Sequence, residues 1–322
     1  MHKYCCLKQC SKAVLTKSAI NTIRSAQEYF TPSQRKYALW ISICVFLVVS
    51  YLPVFTFYAK QHWSVSNLQG AYSHAPLTVV LIAFLVWRQR ERFSIPEWVS
   101  PQPGSLAWLT LGVVLKVYGD VQGFVVLQGM SLIPVMLGLV QLYGDTPTAR
   151  ALRFPILFLF FIIPLPGAAI DALTLPLVQI TTDSVAAALP AFNIVVVKTG
   201  HVLTVNAQGL EEFHEIIMAP ECSGIRSFVS LLALSCLFTH LQGQSLGHST
   251  LLLFATIPLV LLGNFIRVIL TVLMIVNVSP ETAENFFHWS SGLLIFIITI
   301  LGLLLVNTFL KAIAVRRVRA NA

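Results

Sequence analysis

Residues 249–276 carry a single charged side chain, Arg267. A run of this length without compensating charge is longer than the roughly 20 apolar residues that cross a bilayer as a helix. Similar segments recur along the chain, at about 38–58, 74–87, 104–119, 121–143, 152–170, 222–240 and 290–310, which makes eight. Tyr72, Trp87, Trp108 and Tyr118 lie near segment ends, as interfacial anchors do. Only 11% of the 322 residues are charged and 56% are hydrophobic. Soluble globular domains hold about 25% charged residues, and disordered chains hold more still. Six cysteines in this length do not make a disulfide scaffold. The chain reads as an all-α polytopic membrane protein of about eight transmembrane helices.

The positions of the cations orient it. Of 21 Lys and Arg, seven precede the first segment, three follow the second, two follow the fourth and four follow the eighth. Lys60, Lys116 and Lys198 fall on the other side, and Arg226 and Arg267 fall inside spans. The positive-inside rule then predicts two cytoplasmic basic tails, 1–37 and 311–322, around an eight-span membrane domain at 38–310. A multi-pass protein of the inner (cytoplasmic) membrane is expected. Net charge of +8 is accounted for in this way, and no nucleic-acid partner is expected. The N-terminal tail is too long and polar for a cleaved signal peptide. Its Cys5, Cys6 and Cys10 match no zinc spacing and are read as incidental or as palmitoylation sites.

The largest external loop is expected at about 171–221. Asp171 to Leu189 has apolar residues at helical spacing, which predicts an amphipathic helix on the membrane, kinked or begun by Pro176. Two β-branched runs around Lys198-Thr199-Gly200-His201 predict a short β-hairpin. Glu211, Glu212, His214 and Glu215 cluster beyond it, without the spacing of a metal motif. They are read as solvated loop; no metal and no cofactor are expected.

Three stretches carry candidate chemistry. Ala219-Pro220-Glu221-Cys222-Ser223-Gly224-Ile225-Arg226 enters span six, Gly263-Asn264-Phe265-Ile266-Arg267 lies in the outer half of span seven, and His288 opens span eight. On the predicted topology all three face outward. A thiol at a helix N-terminus near a cation ionises more readily. A His transfers protons near neutral pH, and an Arg can hold a developing oxyanion. Together they suffice for acyl transfer through a thioester. Taken singly, Cys222 reads more readily as packing, like Cys44 and Cys236, and His288 as an interfacial residue beside Trp289. Arg267 differs, because a cation within a span costs about 2.5–3.5 kcal/mol on insertion scales and is functional by default.

At these residues the chain resembles the exosortase/archaeosortase family of membrane cysteine transpeptidases, from about Ala71 to Leu310. Tyr72-Ser73-His74 is similar to an early Tyr-Ser-His signature, and Arg153-Phe154-Pro155 through Pro164-Leu165-Pro166 to a central Pro-rich span. Cys222-Ser223-Gly224-Ile225-Arg226 and Gly263-Asn264-Phe265-Ile266-Arg267 are similar to the family's two later motifs, and His288 falls where its His does. The resemblance implies cleavage of C-terminal sorting signals of the PEP-CTERM type, each a short motif, one membrane helix and a basic tail, with transfer to an acyl acceptor. It implies Cys222 as nucleophile, Arg267 as stabilising cation and His288 as proton carrier. Arg226, Asn264, Tyr72 and His74 are implied as support or substrate contacts. The polar stretch Glu211-Glu212-Phe213-His214-Glu215-Ile216 departs from the expected pattern. The alternative from another class is a transporter or flippase of a polysaccharide or lipid precursor. That reading expects a midplane site on broken helices, and a scaffold without chemistry expects Cys222→Ala to be silent.

Overall fold

The computed structural model describes residues 32–61, 72, 74–93, 102–207, 214–218, 223–278 and 280–320. Side chains are described throughout these except at 32–40, 226, 280–281, 283–292 and 314–320. The chain divides into two compact units, residues 1–55 and 56–322. The boundary falls within helix α1, Pro32–Gln61. In the first unit, Ile41, Val45, Phe46, Val49 and Leu52 of α1 are exposed, a surface suited to lipid rather than water.

The second unit is helical, with one small sheet. Its helices are α2 (Ala75–Arg88), α3 (Ser105–Gln122), α4 (Val125–Met130), α5 (Leu132–Tyr143), α6 (Thr146–Phe158), α7 (Gly167–Ala188), α8 (Ile225–Leu241), α9 (Leu246–Asn277) and α10 (Pro280–Ala320). Among the described residues, five stretches are long and apolar enough to cross a membrane: Ile41–Gln61, Val125–Tyr143, Gly167–Phe192, Leu246–Asn277 and Leu293–Ile313. Ala75–Arg88 and Ser227–Leu241 are shorter apolar helices.

Two local signals behave as elementary chemistry dictates. Asp145 caps α6 by accepting from the Thr148 amide at 2.8 Å. Gly123, at φ +69°, ends α3 in the left-handed conformation that a side chain resists. α3 and α5 then run antiparallel at unusually close range. A Cβ on Gly112 would lie 2.8 Å from the Val135 backbone nitrogen, and one on Gly138 the same distance from that of Leu109. Glycine permits this approach, the device by which membrane helices gain packing without a hydrophobic drive.

The fifth apolar segment, 152–170, is not one helix. α6 tightens into a 3-10 turn over Leu159–Ile162, and α7 begins only at Gly167. Pro164 and Pro166 lack the amide hydrogens a continuous helix needs. α7 therefore starts before Asp171, holds Pro176 in its interior, and is itself long enough to cross a membrane.

The expected hairpin is present as β1 (Ile194–Thr199) and β2 (Val202–Ala207), turning at Gly200. A third antiparallel strand, β3 (His214–Ile217), pairs with β2, so His214 and Glu215 belong to the sheet rather than to a loop. Glu211 and Glu212 lie outside the described residues. Leu203 and Val205 point from the sheet into a core with Val178 and Val185 of α7 and Val268, Val272 and Val276 of α9. The sheet and the second half of α7 thus clothe the last third of α9.

Candidate active site

α8 begins at a glycine for two separate reasons. Gly224 has φ +74°, where an L side chain is strained. A Cβ there would also lie 3.0 Å from Cγ of Asn264. The glycine of Cys222-Ser223-Gly224-Ile225-Arg226 thus seats directly on the asparagine of Gly263-Asn264-Phe265-Ile266-Arg267. Ser223 is buried, and its Oγ accepts from the Ile225 amide at 3.2 Å. Asn264 is fully buried, and its Nδ2 donates to Thr181 Oγ1 of α7 at 3.2 Å. Three elements, α7, α8 and α9, meet at that one carboxamide.

Arg267 follows Asn264 by three residues, on the same face of α9. It is only 5% exposed. An aliphatic side chain would fill such a place at less cost, since a buried guanidinium loses its hydration. Gly263 packs against Ile295 of α10, its missing Cβ 3.4 Å from the Ile295 Cα. Counting outward from that contact along the antiparallel pair sets Arg267 level with Ser291. His288, on the same helix α10, comes three residues, or about 4.5 Å, nearer the turn. Arg226 lies in the first turn of α8, where the backbone alone is described. Cys222 lies outside the described residues; the chain resumes one residue later at Ser223.

The depth of this meeting point follows from helix geometry. From Leu246 to Asn264, α9 climbs roughly 27 Å at 1.5 Å per residue. That is close to the roughly 30 Å of a hydrocarbon core. α8 begins beside Asn264, and the sheet and the second half of α7 pack on α9 beyond it. Asn264 and Arg267 therefore sit where the apolar bundle meets its cap.

Tyr72 and His74 are placed at the break between α6 and α7. The phenol oxygen of Tyr72, 3% exposed, accepts from the Leu165 amide at 2.9 Å. His74 Nε2 donates to the Phe161 carbonyl at 3.2 Å, while its Nδ1 is buried without a partner. The two rings lie 5.7 Å apart. Burial pushes the Tyr72 phenol up, partly offset by the Leu165 amide. Both groups hold the Pro164-Leu165-Pro166 turn. A small apolar cavity of about 80 Å³ joins Tyr72, Phe161 and Leu165 to Ile225 and Phe228 at the start of α8. A second, about 310 Å³, opens between α7 and α9 beside Thr181, Leu262 and Phe265.

Thr181 is the participant that sequence reasoning missed. Its signal is faint, a Thr181-Thr182 pair within an otherwise apolar helix face. Nothing in the sequence distinguishes those hydroxyls from ordinary helical threonines, which bond to their own backbone as Thr182 does to Val178.

The family model of the transmembrane exosortase matches residues 63–305, which takes in α2 to α9, the sheet and α10 as far as residue 305. No curated protein and no solved structure matches the chain. With the match spanning three quarters of its length, the chain belongs to the transmembrane exosortase family, the membrane cysteine transpeptidases.

Proposed function

We propose that this exosortase cleaves C-terminal sorting signals through a Cys222 thioester at the extracytoplasmic face of the inner membrane. The observation that supports it best is the seating of Gly224 on Asn264 at the edge of the apolar bundle. That contact brings the residue after Cys222-Ser223 and the residue one turn before Arg267 into one site. Family membership supplies the coarser statement, a membrane transpeptidase that processes PEP-CTERM signals.

The steps follow from the chemistry of the groups. The Cys222 thiolate, favoured by the positive end of α8, attacks the scissile carbonyl carbon. A C–S bond forms and the carbonyl electrons move to oxygen. Arg267 stabilises that oxyanion from a site with little water. Collapse expels the amine of the departing signal, which takes a proton from His288. The acceptor nucleophile, its proton drawn off by His288, then attacks the thioester and regenerates the thiolate. Asn264 holds α8 and α9 in register, Arg226 lends charge near the thiol, and Tyr72 and His74 fix the break on which α7 turns.

A substrate helix lying in the bilayer presents its motif at the membrane boundary, the depth at which Asn264 and Arg267 lie. With both tails 1–37 and 311–322 in the cytoplasm, the signal's basic tail lies there too. A transport site would be expected nearer the midplane.

The test is coexpression with a C-terminally anchored substrate, comparing wild type with Cys222→Ala. Processing that disappears with the thiol supports the reading, and mass spectrometry of the new C-terminus separates water from another acceptor. Equal processing by both proteins overturns Cys222 as nucleophile.

A further inference from the structure

We infer that the end of the bundle remote from the candidate active site holds a binding pocket for the phosphate headgroup of an anionic phospholipid. α2 and α8 each begin at the candidate site, at Tyr72 and Gly224, and each ends at one shared cavity of about 420 Å³. Leu85, Arg88, Gln89, Arg92, His240 and Gln242 line it.

Its charged side chains, Arg88 and Arg92, are donors only. Among the described residues no carboxylate lines the cavity; Glu91 shares the turn of Arg90–Arg92 but not the lining. Among the described residues the ion pairs are Lys116–Asp120 and Lys198–Asp183, so neither Arg88 nor Arg92 is neutralised by a side chain. Gln242 is turned the same way. Its Oε1 accepts from Lys311 Nζ at 2.9 Å, Gln244 Nε2 at 2.8 Å and Asn307 Nδ2 at 3.4 Å. What the carboxamide has left to offer the cavity is its N–H groups. His240 is held flat against Phe154, ring centroids 3.6 Å apart, which closes one wall.

The surroundings specify a lipid rather than a soluble anion. Trp87 is exposed beside the cavity with the Arg90 guanidinium 4.5 Å over its ring, an arrangement suited to the headgroup level. Leu241, which lines the cavity, and Phe84 of α2, which packs on Trp87, are exposed apolar side chains at the same end. Thr148 Oγ1 donates to the Arg92 carbonyl at 3.3 Å, and on the other side of α6 a second cavity of about 340 Å³ carries Arg150, Arg153 and Gln102. Paired arginines on two neighbouring cavities match a phosphate, which guanidinium groups bind with geometric specificity. This site is independent of the proposed chemistry and survives if that reading fails.

The test is native mass spectrometry of the full chain in detergent, titrated with phosphatidylglycerol or with phosphatidylcholine. Phosphatidylglycerol is expected to bind about tenfold more tightly or better, since both arginines attract an anionic headgroup. Arg88→Gln with Arg92→Gln is expected to erase that preference, Lys116→Gln at the other end of α3 to leave it intact, and millimolar inorganic phosphate not to displace the lipid. Equal affinity for the two lipids, a preference that survives the double substitution, or displacement by free phosphate each overturns the proposal. Arg92 lies outside α2, so Arg92→Gln alone serves if the double variant does not fold. A loss of about threefold or more is then expected, and unchanged affinity overturns the site.

Discussion

Two antiparallel helix pairs in this protein are closed by glycine, and they use the closeness differently. α3 and α5 approach through Gly112 and Gly138 and bring backbone against apolar side chains, with Val135 and Leu109 filling the contact. α9 and α10 approach through Gly263, but the next residues on α9 are Asn264 and Arg267, both buried. In the first pair the small residues serve packing alone. In the second they make room for polar groups that packing does not call for. Buried polarity, rather than the glycine itself, separates a structural seam from a candidate site.

The largest effect is expected at the polar seam. On the proposed mechanism, Arg267→Gln lowers processing of a coexpressed substrate by about 10²–10³-fold, the scale of losing an oxyanion donor. The protein should remain in the membrane at wild-type levels. If processing persists near wild type, the two pairs do not differ in the way described. At the packing seam the reverse is expected. Gly138→Val should lower unfolding stability by about 1–3 kcal/mol through overpacking, while processing per folded molecule is kept. Thermal denaturation in detergent, set beside activity normalised to folded protein, checks both halves.

Gly224→Ala lies between these extremes. The left-handed conformation costs about 1–2 kcal/mol, and the new methyl meets Asn264 at 3.0 Å. Asn264→Ala should relieve the contacts with Cγ and Oδ1 but neither that with Cβ at 3.2 Å nor the backbone strain, so a double-mutant cycle on thermal stability should show non-additivity. Strict additivity would mean that the two motifs do not touch.

Much of this was legible beforehand because bilayer physics leaves few options. Long uncharged runs must be helices, and Arg267 within one of them stood out at once. The hairpin was legible from its β-branched runs and Gly200. The third strand was not, because His214-Glu215-Ile216-Ile217 is short and gains its pairing from β2 rather than from its own pattern. The break after Ile162 was hidden by uniformly apolar composition, which hydropathy alone cannot divide. Thr181 was invisible because its partner, Asn264, is 83 residues away.

The seating of Gly224 on Asn264 has a bearing on engineering. A chimera that imports another enzyme's Cys-Ser-Gly-Ile-Arg segment also imports the shape that segment presents to α9. The transferable unit is then a pair of short stretches on two helices, 223–226 with 263–267, which has to be exchanged as one block.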